Sequence, residues 1–479
     1  MMLLAVAVAT ALAWAVWVLW VPLLPINLYV PLLDLGKITG YTWPSAGLYL
    51  ALVLVLFGLY AVGYQVTRAR GAHLGVIFAA GAVFCAELIW AYPGTAVDIF
   101  AYVADGQLLA LHNANPFAVA PDAFPGDFIV QFLAFPDEPA QYGPVWVLLS
   151  GAIAWLTGPP LLSEVLAYKL VASAAHLASG FVVYRVAGLL ACDRRQAQAC
   201  AFLFLWNPLL LWEMIANGHN DGLMMLFGLI GVWLFVAGRD LLVLALVACG
   251  ALVKVPVALI GPLLFVGTLR RKWARAVEGA LLSVVLAIVI YRPFWEGPET
   301  LTALRRTDLF TASFGSVLRL AVAPWLGLDA ASTLARTVSY TAFAVVFGLS
   351  LLIALRAVEP DDYLHAAYFT LLAAVLLLTT WFQAWYVVWP LALAAALPSP
   401  RRHLEVALLS LGGLLQYFVF IYLWVMGYFP PAENLGVQLA AYLAVIAPLC
   451  VAVVIRSFLE ASPPPRLGAG RSPNTPAAA

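Results

Sequence analysis

Residues 3–24 read LLAVAVATALAWAVWVLWVPLL and contain no charged side chain. As a helix, such a stretch is long enough to cross the roughly 30 Å hydrocarbon core of a bilayer. Only helices and closed barrels satisfy their backbone groups in lipid, and the continuous rather than alternating apolar pattern favours a helix. The first charged residue is Asp34, so the stretch lacks the basic start of a cleaved signal peptide. We therefore expect a retained anchor helix.

The same pattern recurs along the 479 residues, of which 64% are hydrophobic and only 10% are charged. A soluble domain carries roughly a quarter charged residues, so a soluble fold is excluded, in agreement with a mean hydropathy of +0.97. We predict an all-α, polytopic integral membrane protein with about 12–14 transmembrane helices. The apolar segments fall at about 3–24, 46–66, 73–93, 165–188, 198–214, 221–238, 241–268, 274–293, 333–357, 363–380, 384–397, 404–426 and 435–457.

Clusters of lysine and arginine orient the helices, because cytoplasmic loops carry an excess of these residues. Placing the clusters in the cytoplasm puts both termini inside and predicts a multi-pass protein of the inner (plasma) membrane. Residues 94–141 contain six acidic residues and no Lys or Arg, so this first loop is predicted to be extracytoplasmic. The following segment, 142–157, is then an interfacial helix, because counting it as a crossing would place Arg194 and Arg195 outside.

Two further segments deviate from a plain series of crossings. Segment 241–268 is predicted to be a helical pair broken at Lys254-Val255-Pro256, since proline interrupts the helical ladder. Residues 462–479 are rich in Pro, Gly and Ala and are predicted to form a disordered cytoplasmic tail. Residues 1–461 then form a single transmembrane domain. The net charge of zero gives no reason to expect nucleic acid as a partner.

The acidic loop opens with YPGTAVDIFAYVADGQ, from Tyr92 to Gln107. Asp98, Tyr102 and Asp105 are spaced by four and three residues, so in a helix they share one face. A carboxylate just outside a membrane helix can act as a general base if desolvation adjusts its pKa. A solvated loop whose acids only enforce orientation is the alternative. Asp98 and Asp105 are our candidate catalytic residues, and Tyr102 is a candidate substrate contact.

Three more motifs are predicted on the same side of the membrane. NANPF around Asn115 and YGPVW from Tyr142 contain turn formers, with aromatic residues that equally fit an interfacial belt. NGHND, which ends at Asp221, is either a plain loop or a site for sugar, phosphate or metal. Two metal ligands without a third are weak evidence, so no metal site is predicted, and a divalent cation stays open. The candidates are Asn115, Tyr142, His219 and Asn220 for substrate binding and Asp221 for catalysis.

Arginine and aromatic side chains near the outer helix ends complete the candidates. Arg292, or Arg305 and Arg306 in the next outer loop, can pair with a phosphate, although Arg292 can equally snorkel. Gln383, Trp385 and Tyr386 offer an amide and aromatic faces, but an aromatic belt looks the same. We include all six as candidate substrate contacts. Lys254 lies inside an apolar segment, where packing at the helix break is as good an explanation as function.

The order of these motifs resembles membrane glycosyltransferases of the C-type (GT-C) fold. The acidic loop with DxxxYxxDG (Asp98–Gly106), NPF, YGPVW and NGHND is most similar to bacterial polyprenyl-phosphate-mannose-dependent mannosyltransferases and their glycosyltransferase family 87 relatives. KVP at Lys254–Pro256, RPFW at Arg292–Trp295 and WYVVWP at Trp385–Pro390 also look like that group. The resemblance spans roughly residues 90–400, and the order is its specific part.

The resemblance implies a GT-C-type helical fold and a transferase that uses a polyprenyl-phosphate-linked sugar, most simply mannose, on the extracytoplasmic face. Asp98 takes the place of the essential first-loop Asp, and an arginine stabilises the leaving phosphate. The partners implied are a polyprenyl-phosphate sugar donor, a lipid or glycan acceptor and membrane lipids. A transporter or lipid flippase is the main rival, but the polar motifs gather at one face rather than at the bilayer centre. A scaffold subunit would not need three acids on one face.

Overall fold

A computed structural model describes the backbone of residues 1–191, 193–305, 309–427 and 433–461, and the side chains of all these residues except 25, 302–305 and 455–461. The secondary structure of the described residues is helical, with two isolated bridges in place of a sheet. Nine of the described helices are long and apolar enough to cross a membrane. The predicted all-α, multi-pass membrane fold is therefore confirmed. These nine helices are Met2–Trp20, Trp43–Arg70, Leu161–Leu190, Arg194–Ala216, Trp273–Phe294, Leu328–Arg356, Pro360–Leu378, Pro400–Leu423 and Leu435–Val454.

Six shorter apolar helices of 10–17 residues accompany the long ones among the described residues. The helix Phe314–Leu326 was not predicted from the sequence, because Arg319 and Pro324 interrupt its apolar pattern. Another, Pro144–Thr157, has 14 residues, which as a helix span about 21 Å and are short for a crossing. Its interfacial position stays a prediction. The short apolar helices are Leu74–Leu88, Pro144–Thr157, Asp221–Val236, Asp240–Ala251, Phe314–Leu326 and Ala384–Ala396.

Local sequence signals explain where the long helices begin and end. In helix Trp43–Arg70 the Thr42 hydroxyl accepts a hydrogen bond from the backbone amide of Ser45, which caps the start of the helix. The helix ends at Gly71, whose φ of 72° is readily adopted only by glycine. Two arginines occupy the last turn, where they complement the negative end of the helix dipole.

The predicted first external loop contains a helix, Asp98–Ala110. Asp98 and Asp105 therefore share one face of this helix, as their spacing predicts for helical backbone. This helix packs closely against helix Pro144–Thr157. A Cβ atom at Gly106 would lie 2.5 Å from the backbone oxygen of Ser150. Glycine at the end of the DxxxYxxDG motif therefore allows the two helices to approach closely.

The central helix, Arg194–Ala216, is enclosed by protein along its whole apolar length. Its last turn, Leu211–Ala216, widens to π-helical geometry and leads directly into NGHND. The ammonium group of Lys169, buried in helix Leu161–Leu190, donates hydrogen bonds to the carbonyl oxygen of Ala91 at 2.6 Å and to that of Ala216. One lysine thus holds together the chain segments that precede the two polar motifs.

The predicted break in segment 241–268 is confirmed. An α-helix ends at Ala251, a 3₁₀ turn runs over Val255–Ile260, and helix Gly261–Arg271 follows. The break leaves backbone carbonyls unpaired, and these accept hydrogen bonds from the YGPVW motif. Gly143 N donates to Val253 O and Val145 N to Leu252 O, both at 3.0 Å. The motif and the break are therefore bonded to each other along their backbones.

Replacing Gly143 by alanine should weaken this backbone pairing. The φ of −71° suits alanine, but the added Cβ would overlap the carbonyl group of Leu252, so the two chains have to separate. We expect Gly143→Ala to lower the free energy of unfolding by about 1–3 kcal/mol, seen as a lower melting temperature in detergent. Gly58→Ala is the control, because a Cβ at Gly58 meets no atom within 4 Å. Equal melting temperatures for both variants would show that the contact carries no stability.

Candidate active site

A cavity of about 680 Å³, called here the large cavity, lies where the first polar motif, the helix break and the segment around Gln383 meet. Its lining includes carboxylates, an amide and aromatic rings, which are side-chain types that the sequence analysis selected. Its other side is apolar, with Leu259, Leu309 and Leu378 among its lining residues. The predicted site residues that line it are Asp98, Asp105, Tyr142, Gln383, Trp385 and Tyr386.

Asp98 is the first residue of helix Asp98–Ala110 and is partly exposed to the large cavity. The Tyr142 hydroxyl donates a hydrogen bond of 2.6 Å to Oδ1 of Asp98. Burial, followed by the negative charge of Asp98, raises the pKa of Tyr142 well above its ordinary value, so the phenol keeps its proton. The bond leaves Oδ2 of Asp98 free to accept a proton from a ligand.

Asp105 lies two turns further along the same helix and also lines the cavity, but it is only 4% exposed. Burial raises the pKa of its carboxyl group well above the ordinary value, which favours the neutral acid. Tyr102, between the two acids, does not line the cavity. Its ring packs edge-on against Tyr142 and Trp146, each with centroids 4.9 Å apart. Tyr102 therefore supports the tyrosine that bonds Asp98.

The structure places Asp221 behind the cavity wall, fully buried at the start of helix Asp221–Val236. Its Oδ2 accepts a hydrogen bond of 2.7 Å from Lys254 Nζ, and its Oδ1 accepts one of 2.7 Å from Trp389 Nε1. Both oxygens are thus engaged by protein groups. The arrangement makes Asp221 the anchor of a lysine rather than a group that touches a ligand.

Lys254 is the only lysine or arginine among the described residues that line the large cavity. Its ammonium group is 5.7 Å from the ring centroid of Tyr142 and 5.4 Å from that of Tyr386. The side chain keeps 16% exposure, so the charge remains accessible from the cavity. Sequence reasoning left this residue out of the site. Its signal was a single positive charge inside an apolar segment.

The remaining residues of NGHND form a buried support under the cavity. The Asn217 amide donates to Thr95 Oγ1 at 2.6 Å and to Glu213 Oε2 at 2.8 Å. His219 stacks on Trp385 with ring centroids 4.0 Å apart, and neither His219 nor Asn220 lines the cavity. Within the described ranges, no three His, Cys, Asp or Glu side chains come close enough to hold a metal ion.

Two predicted phosphate or substrate contacts, Asn115 and Arg292, are not brought to this site. The Asn115 amide donates to the backbone oxygen of Phe294 at 2.9 Å and to Glu296 Oε1 at 2.8 Å, which joins NPF to RPFW away from the cavity. Arg292, in that same RPFW motif, is exposed and does not line the large cavity. Arg306 and the side chain of Arg305 lie outside the described residues.

Comparisons with known proteins agree with the motif order. A family model described as "Alpha-(1->6)-mannopyranosyltransferase, N-terminal domain" matches residues 6–270, more than half of the chain. The chain is 24% identical over 377 residues to alpha-(1->6)-mannopyranosyltransferase A of Mycobacterium tuberculosis, covering 74% of this chain and 69% of that protein. The expected similarity to membrane mannosyltransferases is confirmed.

Shorter alignments link the chain to two further relatives. It is 25% identical over 177 residues to alpha-(1->6)-mannopyranosyltransferase B of Corynebacterium glutamicum, which covers 36% of this chain and 29% of that protein. It is 29% identical over 165 residues to a second alpha-(1->6)-mannopyranosyltransferase of Mycobacterium tuberculosis, covering 32% of this chain and 26% of that protein. The chain thus matches less than two thirds of the length of these two proteins.

The ion pair between Asp221 and Lys254 should be strongly coupled in stability. Asp221→Asn keeps an oxygen for Trp389 but leaves the lysine without a counter-charge, and we expect a loss of about 3–5 kcal/mol. Lys254→Met alone strands a buried carboxylate and should cost a similar amount. The double variant removes both charges, so its melting temperature in detergent should recover most of the loss. A double variant whose loss equals the sum of the single losses would show that the two groups act independently.

Proposed function

This chain belongs to the alpha-(1->6)-mannopyranosyltransferase family, and we propose that it transfers a mannosyl group from a polyprenyl-phosphate donor to a lipid or glycan acceptor. The reaction takes place on the extracytoplasmic face of the inner (plasma) membrane. The observation that carries this proposal is one cavity that presents a carboxylate, Asp98, and, as the one cation among its described lining residues, Lys254, beside aromatic rings and apolar side chains. A cation for the phosphate, rings for the sugar and apolar side chains for the lipid suit a lipid-phosphate sugar.

Asp98 acts as the general base in this reaction. Its Oδ2 takes the proton from the acceptor hydroxyl while that oxygen bonds to the anomeric carbon of the donor. The bond between this carbon and the phosphate oxygen breaks, and polyprenyl phosphate leaves with the electron pair. Tyr142 fixes the carboxylate through the bond to Oδ1. Asp105 is a poor choice of base, because burial favours its neutral form, and it instead offers a hydrogen bond to the sugar.

Lys254 stabilises the charge that develops on the departing phosphate. Preorganised charges aimed at such a group are usually a large part of catalysis in a site that excludes water. Asp221 is a positioning residue here, because it holds the ammonium group of Lys254 from behind at 2.7 Å. This assignment replaces Arg292, which the sequence suggested for the same role but which is exposed elsewhere.

Aromatic and amide side chains of the segment around Gln383 bind the sugar. Trp385 is held flat by His219, with ring centroids 4.0 Å apart, and Tyr386 stacks on Trp389 at 4.5 Å. Rings fixed in this way offer apolar faces to the carbon–hydrogen face of a hexose at little entropic cost. The apolar wall, which includes Leu259, Leu309 and Leu378, suits the first isoprene units of the donor.

Removing the base should abolish transfer without unfolding the protein. With purified protein, radiolabelled polyprenyl-phosphate mannose and a panel of membrane lipid acceptors, we expect Asp98→Asn to lower kcat by about 10²–10⁴-fold. Asp122→Asn is the matched control, since Asp122 is an exposed acid of the same segment that does not line the cavity. Equal activity of Asp98→Asn and wild type would remove Asp98 from the role of base.

A second comparison separates two of the candidate phosphate partners, Lys254 and Arg292. We expect Lys254→Met to lower kcat by about 10²-fold or more, because the leaving phosphate loses the one cation among the described lining residues. Lys254→Arg keeps the charge and should retain part of the activity. Arg292→Gln should stay within about threefold of wild type. The opposite ranking, with Arg292→Gln the more damaging change, would return the phosphate to the RPFW motif.

A further inference from the structure

A second cavity, of about 350 Å³, adjoins the large cavity. Thr95, Ala96, Val97 and Gln383 line both cavities. The first three form the backbone segment that leads directly into Asp98, so this segment is the partition between the two spaces. The cavities therefore meet beside the carboxylate that we propose as the base.

Three parts of the chain supply most of the wall of the second cavity: residues 33–41, the partition with Gly94, and the end of helix Pro400–Leu423 with the turn after it. Thr311 and Gln383 complete the lining. The backbone amide of Leu35 donates to the carbonyl oxygen of Gly94 at 2.7 Å, which fixes the first part against the partition. The Asp34 carboxylate accepts a hydrogen bond from the Tyr41 hydroxyl at 3.0 Å. The cavity thus has a fixed acid in its wall.

One buried side chain of this cavity lacks a partner. Gln416 lines the cavity and is only 3% exposed, and no described group donates a hydrogen bond to its Oε1. A buried amide oxygen without a donor costs free energy. Gln416 is therefore a polar group of the cavity wall that is not fully satisfied by the described protein groups.

The charge and ring composition of the second cavity select the kind of ligand. Among the described residues that line it there is no lysine or arginine, and its acid, Asp34, pairs with Lys37 at 3.7 Å, so the wall offers a phosphate no cation of its own. The large cavity, with Lys254, has the opposite character. Phe420 and Trp424 provide aromatic faces, with ring centroids 6.1 Å apart. A neutral polyol with one apolar face, such as a hexose, fits this combination of amide, carboxylate and rings.

We propose that the second cavity binds the terminal sugar of the acceptor and directs its attacking hydroxyl past the partition toward Asp98. This assignment rests on the proposed transferase function. The acceptor oxygen bonds to the anomeric carbon of the donor held in the large cavity, and its proton passes to Asp98. The carbon–oxygen bond to phosphate breaks, and its electron pair leaves with polyprenyl phosphate. Donor and acceptor thus occupy separate cavities of different charge.

Binding of a neutral disaccharide tests the assignment without turnover. The probe is α-1,6-linked mannobiose, titrated onto the full chain in lipid nanodiscs and followed by saturation-transfer NMR. We expect Trp424→Ala and Gln416→Leu each to weaken binding at least tenfold. Trp381→Ala, which removes a ring of the large cavity, is the matched control and should bind mannobiose as wild type does. Melting temperatures identify any variant that fails to fold.

Cavity filling gives a second, independent variant. Ile421 lines the second cavity and is partly exposed to it, so Ile421→Trp should occupy the space and also weaken mannobiose binding at least tenfold. Absence of binding to the wild type, binding that the three variants leave unchanged, or binding that only Trp381→Ala removes would each overturn the proposal.

Kinetics separate this proposal from the proposed function. With polyprenyl-phosphate mannose as donor, Trp424→Ala and Gln416→Leu should raise the KM for mannobiose at least tenfold and leave the KM for the donor within twofold. A rise in the donor KM instead would overturn the assignment. If the wild type transfers no mannose but binds mannobiose through Trp424 and Gln416, the proposed function fails and the sugar site stands.

Discussion

The helix break at residues 252–254 is the constraint on which the site depends. In lipid a backbone carbonyl without a partner is costly, so a broken helix is tolerated only where another part of the chain supplies donors. Here the amides of Gly143 and Val145 do so. Gly143 and Val145 come just after Tyr142, and Lys254 is the last residue of the break. The same backbone pairing therefore brings the ring of Tyr142, which bonds Asp98, to within 5.7 Å of the Lys254 ammonium group. The hydrogen bonds that satisfy the broken helix therefore also assemble the candidate site.

The phosphate-facing part of this arrangement depends on a single ion pair, between Lys254 and Asp221. Among its described lining residues the large cavity has one cation, Lys254, and the counter-charge, Asp221, is buried behind it and also bonded by the indole of Trp389. A lysine held in this way keeps a fixed direction and remains available to an anion from the cavity side. Asp221 begins a helix and Lys254 lies in the helix break, so neither local sequence alone contains the pair. The site is a product of how the helices pack.

The sequence was sufficient for the features that depend on local pattern. Apolar length identified the long helices, proline identified the helix break, and the spacing of Asp98, Tyr102 and Asp105 identified a shared helix face. It was not sufficient where three-dimensional packing decides. The linear pattern indicated Arg292 as a phosphate partner and gave Lys254 no defined role, but Arg292 is exposed beside the NPF motif and Lys254 faces the cavity. Asp221 was recognised as important, although its partners, and hence its supporting role, are far away in the chain.

The buried lysine of helix Leu161–Leu190 also has a consequence for how the protein is made. Lys169 bonds one carbonyl that precedes it, at Ala91, and one that follows it, at Ala216. Chains are synthesised and inserted from the N-terminus, so the first polar motif enters the membrane before its partner exists. Until residue 216 emerges, the ammonium group of Lys169 has only half of its final set of acceptors. The joint between the two motifs therefore forms only once the central helix has been made, more than a hundred residues after the first motif.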